Sequence, residues 1–315
     1  MIRGLFVRKS QIARHKFFIS NVKLWYNDEN HFLTKEIIMD KLIDIIKGRK
    51  SVRTFDGKGL SDEDLTKLRE YAEGIDEIFD VSVEYVFLEG GKDGLESPVL
   101  VGDRLFVAGK VPKMPYADVA FGYSFEKLVL YAWSLGIGTV WIGGTMKREA
   151  FEKAAGLKDG EMMPCITPVG YPAEKRSMRE KLMRKSIKAD SRKPEEELFF
   201  DGNFETPLDL KKASGGLSAG ELADIFEMVR WAPSAVNKQP WRIVADGEIF
   251  HFYEKKDKGY VNEATGDLQK IDVGIALCHF TMGLDEIGKD YSVQISDSGI
   301  STDDSTEYIA SVTLR

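Results

Sequence analysis

Cysteine and histidine are scarce in this 315-residue sequence. There are two cysteines, Cys165 and Cys278, and four histidines, at positions 15, 31, 251 and 279. Neither type falls at metal-ligand spacing, and two cysteines make no disulfide framework; both sit in apolar context and read as reduced core residues. Positive charge is also short, with a formal net charge of -7. This removes the usual ground for nucleic acid or an anionic membrane as a general partner, although local basic patches stay open. No run is long and apolar enough to span a membrane. No Ser-His-Asp arrangement suggests a nucleophile. What remains is a folded, soluble, cytoplasmic protein of one large or two ordinary domains, with 43% hydrophobic and 30% charged residues.

The stretch Trp231 to Trp241, WAPSAVNKQPW, stands out. Pro233 and Pro240 end a helical pattern and stiffen the chain before a β-type segment. Between them lie Ser234, Asn237, Lys238 and Gln239: a hydroxyl, two amides and an ammonium, flanked by two indoles. Such a loop either serves a flat ligand with a hydrogen-bonding edge or is a surface turn tied down by its own Asn and Ser.

A second stretch, RKSVRTF, runs from Arg49 to Phe55. Arg49, Ser51 and Arg53 alternate, so in an extended chain they face one side. Two guanidinium forks and a hydroxyl on one face suit a phosphate, and they equally suit a solvated basic turn. Lys50 lies in the same segment and faces the other way.

Taken in order, residues 1–38 are basic and apolar and fit poorly with the rest. They lack an apolar core followed by a small-residue cleavage site. They read as an arm on the domain, with a membrane-touching amphipathic arm or a later start at Met39 as alternatives. Helical spacing follows over residues 37–47, closed by Gly48. Ser61 is a natural N-cap with Asp64 three residues on. Strands are predicted near 81–88 and 98–107. A long amphipathic helix covers 118–136, and a short buried strand, 139–144, ends in the bare corner of Gly143 and Gly144. A further strand spans 164–170. Residues 175–193 carry many basic groups and little apolar pattern, and read as an exposed arm or crossover.

The second half repeats the plan. Leu217-Ser218 opens a helix as Leu60-Ser61 does, the proline-bounded loop follows, and strands are predicted at 241–245 and 249–253. A long helix over 271–284 is then the counterpart of 118–136, with Asp272 in the place of Asp118. Strands at 291–295 and 307–314 close the chain. The matching element order indicates internal duplication.

Together these motifs resemble the FMN-dependent nitroreductase family, and in particular its duplicated single-chain branch. RKSVRTF resembles the family's Arg-X-Ser-X-Arg phosphate motif, and APSAVNKQPW its specific Ala-Pro-Ser-X-X-Asn-X-Gln-Pro-Trp loop. DVAFGYSFEKLVLYAWSLGIGTVWIGG, TPVGYP and RKPEEELFF resemble the central helix and strand, a later turn, and the end of the module. Here the two motifs are split. The first half has the arginines, but its loop reads YAEGIDEIFD; the second has the loop but no paired arginines.

The resemblance implies an α+β, nitroreductase-like fold. It has two tandem modules, 39–200 and 201–315, after an extension over 1–38. Each module has a central antiparallel or mixed sheet and long helices, and the two pack as an intramolecular pseudo-dimer, so that the chain is a monomer with further dimerisation open. It implies one FMN site built from both halves. Arg49, Lys50, Ser51 and Arg53 would serve the phosphate and ribityl end, with Arg192 or its neighbour Lys193 as a further phosphate partner. Pro233, Ser234 and Asn237 would line the isoalloxazine, Gln239 would bind or fix the loop, and Gly143 and Gly144 would lie near N5 and O4. NADH or NADPH would be the reductant, and nitroaromatics or quinones the acceptors. No side-chain nucleophile is required, because FMN carries the redox chemistry. Tyr116, Tyr123 and Trp141 either shape an acceptor pocket or pack in the core. The alternative is an FMN-binding or regulatory protein with little turnover.

Overall fold

The computed structural model describes residues 42–296 and 298–315. The expected arm over residues 1–38 lies outside the described residues.

Residues 42–48 are helical, and Leu42 and Ile46 insert into the core. Helix α1, Asp62–Glu73, starts where Ser61 accepts the Asp64 amide at 3.1 Å. Asp64 does not return the bond. Its carboxylate accepts from the Tyr171 hydroxyl, and that oxygen accepts the Ser61 N–H at 3.2 Å. In α5, Ala219–Arg230, the longer Glu221 reaches back to Ser218 and completes the capping box.

Two sheets flank a pair of long helices. In the first, β1 (Glu84–Glu89) pairs antiparallel with β2 (Leu105–Pro112). The far edge of β2 pairs with β3 (Glu161–Met162) and β4 (Ile166–Pro168). The second sheet has the order β10-β11-β7-β6-β5. Its members are β5 (Phe199–Asp201), β6 (Trp241–Asp246), β7 (Ile249–Lys255), β10 (Tyr291–Gln294) and β11 (Thr306–Leu314). Strand β5 runs parallel to β6, so a segment that follows the first sheet in the chain joins the second. Strands β8 (Val261–Asn262) and β9 (Gly266–Asp267) form a separate hairpin. The predicted strand over 139–144 is replaced by single bridges, Ser51 to Thr139, Gly138 to Gly170 and Ile142 to Ile166. The chain there changes partner too often to sustain one ladder.

The long helices are α2, Ala117–Ser134, and α6, Leu268–Glu286. Both are less amphipathic than expected. Nearly every residue of α6 from Gln269 to Leu284 is buried, because each helix has a sheet on one side and the other helix on the other. They cross at two glycines. A Cβ on Gly122 would lie 2.0 Å from the Ile271 carbonyl oxygen, and one on Gly274 would lie 2.1 Å from that of Val119. The same sequence offset relates Gly122 to Gly274 and Val119 to Ile271, so the contact is two-fold in character. That offset pairs Asp118 with Lys270 and corrects the expected match of Asp118 to Asp272. One hydrophobic core runs through both sheets and both helices. A smaller one, including Val52, Phe55, Phe106, Phe151 and Ile166, anchors the segment from 49 to 55.

The segment 175–193, read as an exposed arm or crossover, is mostly exposed but ordered. It contains helix α4, Met178–Ser186, capped by Ser177. The helix docks through Glu180, 2% exposed, whose carboxylate accepts from the Arg53 amide at 3.2 Å and the Thr54 hydroxyl at 2.9 Å. Helix α3, Arg148–Ala154, follows the glycine corner.

Candidate functional site

The backbone of 49–55 is extended and bonded on both sides. The Val52 amide donates to the Thr139 carbonyl at 2.8 Å, and the Phe55 amide to that of Val101 at 2.8 Å. With Val52 buried, alternation leaves Arg49, Ser51 and Arg53 half-buried on the opposite face, before Phe55 turns back into the core. Lys50 points elsewhere: it is exposed, with its ammonium 5.7 Å from the Trp133 ring.

Around that face gather four guanidinium groups. Burial lowers the Arg49 pKa most, the Glu126 carboxylate raises it, and Arg184 of α4 lowers it. Arg53 is lowered by burial, supported by Glu180, and again opposed by Arg184. Arg192 falls to about 10 through burial and then the positive charge of Arg49. Its guanidinium lies 4.3 Å from the Trp231 ring. Two buried N–H groups, Arg53 Nη1 and Arg192 Nε, have no hydrogen-bond partner. Crowded like charges with unspent donors form a cradle for an anion, and the planar fork suits phosphate.

The loop at 231–241 is strained. Val236, Asn237 and Gln239 have φ of 51°, 57° and 52°. For β-branched Val236, which is 60% exposed, this conformation is an outlier costing about 1–3 kcal/mol. Three ties hold it. The buried Asp272 carboxylate accepts the Ala235 amide at 3.0 Å, and burial raises that carboxyl well above the usual range. The Ser234 hydroxyl accepts the Gln239 amide at 2.9 Å. The Asn237 side-chain amide donates to the carbonyls of Lys188 at 2.9 Å and Ser191 at 3.0 Å. Gln239, buried, accepts the Lys193 amide at 2.9 Å.

The segment 188–193 therefore joins the two motif stretches: it carries Arg192 to the cradle and is hydrogen-bonded to the loop. Pro233 and Ser234 are half-buried in the same loop. At the glycine corner, Arg148 clamps the Gly143 carbonyl at 2.5 Å and that of Met163 at 2.7 Å. Gly144 is exposed, with no atom within 4 Å of where a Cβ would sit. Near the corner, a Cβ on Gly143 would lie 3.7 Å from Leu268 at the start of α6. Tyr123 is core, its hydroxyl accepting from Thr281 at 3.1 Å. Trp141 donates to Glu126 at 3.0 Å, and Tyr116 is 37% exposed.

Sequence reasoning did not reach Arg184, Glu180, Glu126 or Arg148, and it marked Asp272 only as a counterpart of Asp118, not as a tie for the loop. A signal for α4 was present: Ser177 with Glu180 three residues on is a helix-start pattern.

A mixed-sheet α+β fold with two crossed central helices defines a nitroreductase-like protein. The residues from 41 to 284 match the family model described as "Putative TM nitroreductase". The chain belongs to that family and, with it, to the nitroreductase-like oxidoreductases. The crystal structure of a nitroreductase-like protein from Thermotoga maritima is similar over 87% of this chain and 93% of its own, at 20% identity and a TM-score of 0.55. An NADH dehydrogenase/NAD(P)H nitroreductase-type protein of Bacteroides thetaiotaomicron matches 44% of this chain and 89% of its own, at 24% identity and a TM-score of 0.38. A nitroreductase with bound FMN from Bacteroides fragilis matches 44% and 91%, at 20% identity and a TM-score of 0.37. No curated protein matches the chain. Among the described residues no helix is long and apolar enough to cross a membrane.

Proposed function

We propose that the chain is an FMN-dependent NAD(P)H oxidoreductase that reduces nitroaromatics, quinones or similar electron-poor acceptors. The carrying observation is the guanidinium cradle with two unpartnered N–H groups, joined through residues 188–193 to the strained loop at 231–241.

The residues fit FMN at its phosphate end. Arg49, Arg53 and Arg192 would hold the phosphate, with Ser51 beside them on the same face. FMN supplies the electron transfer when bound. Asn237 and Gln239 spend their amides on residues 188–193, so their role is to position Arg192 and the loop; Pro233 and Ser234 are left to line the ring. Gly143 and Gly144, held by Arg148, leave room for a flat group to approach backbone. Fixed positive charge around the site would stabilise an anionic reduced cofactor.

On this reading residues 39–200 and 201–315 are two modules packed as an internal pseudo-dimer. The two-fold crossing at Gly122 and Gly274 supports it, as does the split of the motifs between halves. The chain is then a cytoplasmic monomer with one site.

The test is the visible spectrum of the purified protein with FMN stoichiometry, followed by anaerobic reduction with NADH and NADPH and reoxidation by a nitroaromatic and a quinone. One FMN per chain, reduced by a nicotinamide and reoxidised by acceptor, is expected. FMN bound at one per chain but never reduced would favour a flavin-binding protein without turnover; no FMN bound at all would end the reading.

A further inference from the structure

Outside the cradle, helix α4 and the turn after it line a concavity of about 390 Å³. Five cationic side chains face it: Arg176, Lys181, Arg184, Lys185 and Lys188. The one carboxylate in its lining, Asp190, is already bonded to Arg184. Arg176 has a partner in Glu180 at 3.4 Å, and that carboxylate is shared with Arg53 and Thr54. Lys181, Lys185 and Lys188 have no anionic partner among the described residues. Lys181 and Lys185 stand four residues apart within the helix, a spacing at which like charges repel. So much uncompensated positive charge in a chain of net charge -7 is an arrangement that calls for an anion.

The position of the concavity narrows the choice. Its inner wall, Arg184, is close enough to Arg49 and Arg53 to depress both, so the concavity backs onto the phosphate cradle. Its rim, Lys188 to Ser191, receives the Asn237 amide and so is tied to the loop that lines the ring. A ligand seated there reaches the ring-binding region from outside with its phosphates on α4.

We propose that this concavity binds the phosphate groups of the nicotinamide dinucleotide and selects NADPH over NADH. The inference rests on the oxidoreductase reading and names its reductant. The additional 2′-phosphate carries about -1.5 to -2 charge, which three unpaired lysines and Arg184 would meet. The one remaining cation, Arg176, would take the diphosphate.

The test compares the holoprotein with the double variant Lys181→Gln, Lys185→Gln, neither of which touches the cradle. Calorimetric titration with NADP+, NAD+ and ATP gives the affinities, and anaerobic flavin reduction by NADPH and NADH gives the half-saturating concentrations. NADP+ is expected to bind wild type roughly tenfold more tightly than NAD+, a difference of about 1.4 kcal/mol. In the variant that preference should vanish, with FMN content and the limiting rate of reduction unchanged. Equal NADP+ affinity in wild type and variant overturns the proposal. So does ATP binding as tightly as NADP+, which would make this a general polyphosphate site, and so does loss of FMN in the variant, which would assign the concavity to the flavin's own phosphate. If wild type carries no FMN, the oxidoreductase reading fails separately, and the NADP+ titration still reports on the concavity.

Discussion

His279 and Glu126 meet across the crossing of the two long helices, imidazole Nε2 to carboxylate Oε1 at 3.1 Å, with both side chains buried. The other ring nitrogen lies 2.8 Å from the Met228 carbonyl, which only accepts, so Nδ1 carries a proton. Glu126 also accepts from Trp141 and faces the Arg49 guanidinium, so the crossing is connected to the arginine cluster.

Removing one partner of this pair should be far worse than removing both. His279→Ala is expected to cost about 3–5 kcal/mol, because it strands a buried carboxylate. Glu126→Met with His279→Leu should recover part of that loss, short of full recovery because the Trp141 N–H is then unpartnered. Urea denaturation of wild type, the single variants Glu126→Met and His279→Leu and the double variant measures the coupling, and additive losses would contradict it.

Arg49→Ala should raise the Kd for FMN roughly ten- to a hundredfold, the equivalent of about 1.5–3 kcal/mol for a charge-assisted contact. The flavin-free protein should be no less stable, because the burial cost of the Arg49 guanidinium, which outweighs its attraction to Glu126, is removed along with its repulsion of Arg184 and Arg192. Flavin titration and thermal unfolding of the flavin-free form read the two effects separately.

Asn237→Ala should release residues 188–193, since its amide holds the carbonyls of Lys188 and Ser191. Faster amide exchange in that segment is expected even without flavin, together with weaker FMN binding through a loosened Arg192. Unchanged exchange there would show that the loop is held by Asp272 and Ser234 alone.

Gly122→Ala and Gly274→Ala should each cost about 3 kcal/mol or more, because each Cβ would fall within van der Waals overlap of backbone on the partner helix. Gly144→Ala is the control. Nothing lies near its Cβ position, so apo stability should hold while FMN affinity falls.

Stability should carry a signature of Glu254. Burial raises its carboxyl from 4.5 to about 7, with Asp267 and Glu307 adding to the shift and Lys270 and Lys256 opposing it. Between these two values the unfolded chain is ionised while the folded one is still protonated, so this group lowers stability as pH rises from 4.5 to about 7, after which the loss is complete. Asp118, raised from 3.8 to about 6, acts in the same direction. Glu254→Gln should therefore match wild type near pH 4.5 and exceed it by about 3 kcal/mol at pH 8. A pH-independent difference would place the effect in packing instead.

Much of the fold was legible from local pattern. Ser61 and Ser218 cap the helices they were expected to start, and the strands from 241 onward fall within a few residues of prediction. The failures have a common cause. Residues 175–193 look like a solvated arm because α4 has little apolar face; what orders it is one buried carboxylate, Glu180, bonded to a segment more than a hundred residues away. The segment at 139–144 looks like a strand, but its bridges go singly to two different pieces of chain, at Ser51 and at Ile166.

At the site the same division holds. Residue types and alternation were enough to mark Arg49, Ser51 and Arg53 as one face, and two prolines with a polar run marked the loop at 231–241, because backbone period and φ restriction act over a few residues. Only the tertiary structure decided that the Asn237 amide and the Gln239 amide oxygen are spent on residues 188–193, and that Arg184 joins the arginine cluster. Those outcomes depend on which distant groups compete for each donor and each charge, and that competition exists only once the chain has folded.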